Sequence, residues 1–172
     1  MKYILTLLIL SLVNLQIYCD NASKVAQYAK SKVGSGYLWG TTGQKCTQAV
    51  INKSARNHKI DKKLANKWIG KEVFDAPGLV AKAFQQVGIR LATGATSAWG
   101  KESWESKGEI ANYPKNKVCA LYQESRGKML HTGIYIGNGE FVHAKNLKEG
   151  VVKEKMPGKW THWGIPKGLY NK

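Results

Sequence analysis

An α+β fold is predicted for this sequence from three observations. Apolar residues recur at helical spacing in the first half, period-2 runs dominate after residue 128, and Gly137-Asn138-Gly139 separates two of those runs as a hairpin signal. Helices first and antiparallel strands afterwards give N-terminal helices packed on an antiparallel sheet.

The elements follow in chain order. Met1-Lys2-Tyr3 is a short basic start, and Ile4 to Val13 is an almost unbroken apolar run, too short to span a bilayer comfortably. Residues 1–19 are therefore read as a secretory signal, with Ala22 as the alternative cleavage point. Residues 20–172 are left as one domain, exported and with no transmembrane segment. Val25, Tyr28, Ala29 and Val33 mark a helix over Ser23 to Val33, ended by Gly34. A second helical stretch lies between Thr47 and Trp68, broken across Asn57 to Lys63. A third runs from about Pro77 to Val87, with Leu79, Val80, Ala83, Phe84 and Val87 on one side, a first-turn proline and Gly88 at its end. Met129–Ile136, Glu140–Ala144, Val151–Lys155 and Trp163–Ile165 read as strands.

Charge and cysteines bound the partners. The 172 residues carry 27 Lys and Arg against 11 Asp and Glu, a net charge of +16. Signal removal takes away only Lys2 and leaves +15. Such a charge favours anionic surfaces, or serves solubility alone. Export, scattered lysines and the lack of a reading motif argue against a nucleic-acid partner. Cys46 and Cys119 remain after processing, either as two buried thiols or as a disulfide that would contribute about 4 kcal/mol. No Cys-x-x-Cys spacing exists, so neither a metal nor a cofactor is expected.

The hairpin carries two histidines. His131, Gly133 and Tyr135 share one strand face, and His143 shares a face with Phe141 on the next strand. A two-residue Asn138-Gly139 turn would pair Gly137 with Glu140 and put His143 opposite Ile134, on the wrong face. A three-residue loop would pair Ile136 with Glu140 and put His143 opposite Gly133, diagonal to His131. Two histidines so placed can act as a general base and its orienting partner, or simply fill a sheet face.

Four segments resemble the successive motifs of the NlpC/P60 family. They are Tyr37-Leu38-Trp39-Gly40, Phe74-Asp75-Ala76-Pro77-Gly78-Leu79-Val80, His131-Thr132-Gly133-Ile134-Tyr135-Ile136-Gly137-Asn138-Gly139 and Phe141-Val142-His143-Ala144. The match covers essentially the whole mature chain. The resemblance implies a papain-like fold and the activity of cysteine endopeptidases that cut peptidoglycan stem peptides. It makes His131 the general base and His143 the residue that orients it. Tyr37 looks like the tyrosine beside the nucleophile, and Asp75 matches a residue that binds the stem's free amine. Trp39, from its place beside Tyr37, is the one tryptophan expected in the substrate groove. The departure is at the nucleophile: the family has Asp-Cys-Ser-Gly where this chain has Asp75-Ala76-Pro77-Gly78. Ala76 has no atom that can attack a carbonyl, so the chain is expected to be inactive as a cysteine peptidase. Cys46 is a conceivable substitute, but Ala76 holds the helix-start position that the resemblance assigns to the nucleophile. The alternatives are a non-catalytic peptidoglycan-binding domain or a cationic wall-binding protein; either is expected to be a secreted monomer.

Overall fold

The computed structural model describes residues 21–170. The expected signal segment lies outside the described residues. Helix α1 occupies residues 21–31, and Ala22, Val25, Ala26 and Ala29 supply its buried side. Val33, expected on that side, falls beyond the helix and is 45% exposed. Next come strands β1 (Gly36–Tyr37) and β2 (Thr42–Lys45), then helices α2 (Gln48–Asn57) and α3 (Lys62–Ala65), with a 3₁₀ turn over Asn66–Trp68. Thr47 caps α2 by accepting from Val50 N, and Asp61 caps α3 by accepting from Leu64 N. The break between Asn57 and Lys63 is thus a C-terminus followed by a fresh N-cap.

Strand β3 (Glu72–Phe74) joins β1 in parallel and β2 antiparallel, forming a three-stranded sheet in the order β1-β3-β2. It leads directly into α4 (Ala76–Gln85), which buries Leu79, Val80, Ala83 and Phe84. Full burial of a Leu, Val or Phe side chain stabilises the fold by about 2 kcal/mol. Helix α5 (Ala95–Lys101) and strands β4 (Trp104–Glu109) and β5 (Cys119–Ser125) follow. Then come β6 (Lys128–Gly137), β7 (Glu140–Asn146), β8 (Gly150–Lys155) and β9 (His162–Pro166). The second sheet has the order β4-β9-β5-β6-β7-β8, with every pairing antiparallel.

Two cores result. The larger joins α1, α4, α5 and the six-stranded sheet, and α4 packs against β6 and β7. The smaller gathers Leu38, Cys46, Ile51, Ala65, Trp68 and Val73 beneath α2 and α3. Cys46 and Cys119 are free, buried thiols in different cores. Among the described residues no helix is long and apolar enough to cross a membrane.

Candidate functional site

The hairpin brings the two histidines together, but not by the turn expected. Asn138 (φ 55°) and Gly139 (φ 73°) form a two-residue turn, and Gly137 does pair with Glu140. Parity is restored by a bulge: Ile136 is an extra residue, so that Tyr135 pairs with Phe141 and Ile134 with Val142. His143 then lies opposite Gly133. Gly137 takes the bulge's left-handed conformation at φ 87°. Gly133 is the floor of the site, because a Cβ there would come within 2.8 Å of Trp160 Cη2 and 3.1 Å of His143 Cβ.

A polar relay runs across three strands. His131 Nε2 lies 2.8 Å from His143 Nδ1, and His143 Nε2 lies 3.0 Å from Glu154 Oε2. Lys145 Nζ donates to Glu154 Oε1 at 2.8 Å and to Glu149 at 2.8 Å. The Lys145 hydrogen bond, as the largest cause, holds the Glu154 carboxyl below its usual range, so Glu154 is ionised and only accepts. His143 must therefore carry its proton on Nε2 and offer a bare Nδ1. His131 in turn donates from Nε2, which leaves His131 Nδ1 as the open basic nitrogen. Burial, then the neighbouring His143, pushes His131 down to about 4. Burial also lowers His143, against the opposing pull of Glu154. Both rings are neutral at pH 7, and the His143–Glu154 contact is a hydrogen bond rather than an ion pair.

Trp160 closes the relay. Its ring stacks on His131 with centroids 5.6 Å apart and planes 10° from parallel, and it meets Phe141 and His143 edge-on. A cavity of about 460 Å³ lies alongside, lined by Gln123, His131, Phe141, His143, Lys145, Glu154, Gly158, Lys159 and Trp160.

The other expected residues gather at the start of α4. Asp75 is the N-cap and is 7% exposed. Its Oδ1 accepts from Gly78 N at 2.7 Å and its Oδ2 from Gly40 N at 2.8 Å. Expected to meet a substrate amine, Asp75 has both oxygens engaged by backbone amides and locks the Tyr37–Thr41 loop to the helix. Burial raises its pKa despite those two bonds. Ala76 is the first helical residue and is 4% exposed; Pro77 sits in the first turn. Burial, with Asp75 second, pushes the Tyr37 phenol up to about 12. Trp39 is 46% exposed, with its ring 4.7 Å from that of His58. It lines a smaller cavity of about 140 Å³ with Lys53, Asn57 and His58, separate from the histidine cavity. Cys46 is 1% exposed with its thiol pushed up by burial, the opposite of an activated nucleophile.

Sequence reasoning missed Glu154, Lys145 and Trp160. Glu154 lay within an expected strand, but its pairing with Phe141 depends on register. Trp160 lies in a connection, where no periodicity points inward.

The model of the NlpC/P60 family matches residues 34–164, and the chain belongs to that family. The family comprises cysteine peptidases and hydrolases, some members being non-catalytic. Solved structures share the fold. One is the NlpC/p60 domain of the peptidoglycan hydrolase SagA, 16% identical over 84% of this chain and 97% of that one, with a TM-score of 0.56. A mutated form of the resuscitation promoting factor interacting protein RipA is 22% identical over 87% of this chain and 62% of that one, with a TM-score of 0.60. RipD from Mycobacterium tuberculosis is described as a non-catalytic NlpC/p60 domain protein adapted to peptidoglycan binding. It is 15% identical over 86% of this chain and 97% of that one, with a TM-score of 0.58. No curated protein matches the chain in sequence.

Proposed function

We propose that this chain is a secreted NlpC/P60 domain that binds peptidoglycan stem peptides without cleaving them by thiol chemistry. The observation that carries the reading is Ala76 at the first position of α4. In the family's arrangement that place belongs to a thiolate supported by the helix's positive end. Here it is a methyl group, while the histidine relay is complete and neutral. A relay without a nucleophile can still bind. His131 Nδ1 accepts a hydrogen bond, Gln123, Lys145 and Lys159 supply donors around the cavity, and Trp160 and Phe141 supply apolar wall. On this reading the stem peptide occupies the histidine cavity, Tyr37 and Trp39 border the approach, Asp75 holds the loop in place, and the working form is a monomer released after removal of residues 1–19. RipD, described as non-catalytic and peptidoglycan-binding, gives the reading a precedent within the fold.

The test uses soluble muropeptides and isolated peptidoglycan. The parent protein should release no new amino groups, yet retain muropeptide at an ionic strength that screens surface charges. Trp160→Ala and His131→Ala should weaken that salt-resistant fraction. Hydrolysis by the parent would refute the non-catalytic reading, and complete elution by salt would refute pocket binding.

A further inference from the structure

The module under α2 and α3 carries a charge density that the rest of the molecule does not. Residues 45–71 contain Lys45, Lys53, Arg56, Lys59, Lys62, Lys63, Lys67 and Lys71, with Asp61 as the sole acid. Every one of these cations is exposed. Asp61 is committed to the α3 cap through Leu64 N. Among the described residues, the ion pairs fall elsewhere, at Lys32, Lys145, Lys153 and His143, and none reaches this module. Lys67 and Lys71 lie over the Trp68 ring at 4.5 and 5.3 Å, which orients two of the charges without neutralising them.

The placement works against the module's own stability. Lys62 and Lys63 occupy the first turn of α3, where the helix dipole disfavours cations and the Asp61 cap is the sole acid to offset two of them. Lys63 and Lys67 stand four residues apart along α3 and the following 3₁₀ turn, a spacing at which like charges repel. Exposed cations so concentrated match a ligand that brings its own negative charge. The exposed side of α2 is mostly polar, with Gln48, Asn52, Lys53, Arg56 and Asn57 and only the small Ala49 among them, while its apolar Ile51 is buried in the small core. This helix therefore has no free apolar face to lay into a lipid surface.

We propose that the α2–α3 face docks a linear, phosphate-bearing polyanion of the bacterial wall. Cations spread along more than twenty residues fit repeated, spaced phosphates better than a single anion. Binding to such a chain releases its condensed counterions, so the affinity depends steeply on salt. The inference does not depend on what occupies the histidine cavity, since none of Arg56, Lys59, Lys62 and Lys63 lines it.

The experiment compares two variants of equal net charge. One combines Arg56→Gln, Lys59→Gln, Lys62→Gln and Lys63→Gln. The control combines Lys101→Gln, Lys128→Gln, Lys155→Gln and Lys167→Gln, four exposed lysines outside the module. Poly(glycerol phosphate) is titrated against each at several salt concentrations, alongside duplex DNA and phosphatidylglycerol vesicles. The module variant should lose about tenfold or more in polymer affinity, and its salt slope should fall by about one for each contacting cation removed. The control should change about twofold or less by the same reasoning. Equal losses in both variants would mean that only net charge matters and would overturn the proposal. So would vesicles or DNA binding more tightly than the polymer, or no polymer binding at all. Circular dichroism of both variants checks that a loss is not unfolding.

Discussion

The neutral relay makes a quantitative prediction about acid. Protonating His131 in the folded protein would place a charge in a largely desolvated position beside His143, and burial first and His143 second push its pKa down to about 4 from 6.5. In the unfolded chain His131 titrates normally. Above pH 6.5 neither state holds the proton, and the relay's full contribution to stability is present. As pH falls from 6.5 to 4 the unfolded chain takes up a proton that the folded one resists, so stability is lost; below about 4 the loss is complete. At 1.36 kcal/mol per unit, the shift corresponds to about 3 kcal/mol in total, of which about 2.5 kcal/mol is gone by pH 4.5. That is a large part of the 5–15 kcal/mol typical of a domain.

His131→Gln isolates this contribution. The glutamine amide can still donate to His143 Nδ1, but it does not titrate. Urea unfolding at pH 7.5 and 4.5, at one ionic strength, gives four stabilities. The parent should lose about 2 kcal/mol more than the variant between the two pH values. The comparison cancels the carboxylates, including Glu154, whose lowered pKa makes its own contribution fade in the same direction as pH falls. Equal acid losses in both proteins would refute the assignment of a buried, neutral His131.

Three further outcomes follow from the same geometry. Asp75→Ala removes the α4 cap and leaves the Gly78 and Gly40 amides without partners, so it should cost about 2 kcal/mol or more in urea unfolding, with Asp75→Asn costing less. Trp160→Ala uncovers His131 and should raise its pKa toward 6.5, followed by NMR titration of the imidazole carbon-bound protons; an unchanged value would show that Trp160 does not desolvate the ring. Ala76→Cys places a sulfur at the helix start and should yield amino-group release from muropeptides, which Ala76→Cys with His131→Ala should abolish; a folded but inert single variant would refute a nucleophile role for residue 76.

Much of this arrangement is legible in the residues. Pro77 and Gly88 bracket α4 because a first-turn proline and a left-handed glycine act locally. The hairpin is equally local. Its register is not: the sequence offers a two-residue turn with the wrong parity or a three-residue loop with the right one. The protein uses the two-residue turn and corrects the parity with a bulge at Ile136. That choice depends on what the strand must bury on each face, Ile134 and Val142 on one and Tyr135 and Phe141 on the other. The small β1-β3-β2 sheet escapes notice because strands of two to four residues show no period. Strand β5 escapes because Cys119 to Tyr122 is buried on both faces and does not alternate. Glu154 and Trp160 escape because pairing across β7–β8 and the path of a connection are tertiary facts.

The presence of His131 and His143 in a chain that has Ala76 at the start of α4 is not by itself a sign of catalysis. The two rings and Glu154 form a chain in which each member satisfies the next: Glu154 fixes the His143 proton, and His143 fixes that of His131. Removing a member leaves a buried polar atom without its partner, which costs about 1–3 kcal/mol. Stability alone therefore constrains these positions once the sheet has closed around them. The electrostatics lean the same way. An imidazolium beside a thiolate stabilises it, whereas burial, with His143 second, drives His131 toward its neutral form. A neutral ring with an open Nδ1 is well made to accept a hydrogen bond from a ligand. To act as half of a charged catalytic pair it would first have to gain either a neighbouring anion or access to water. The Ala76→Cys and Trp160→Ala variants, separately and together, measure how far each of those two changes carries the site from binding toward hydrolysis.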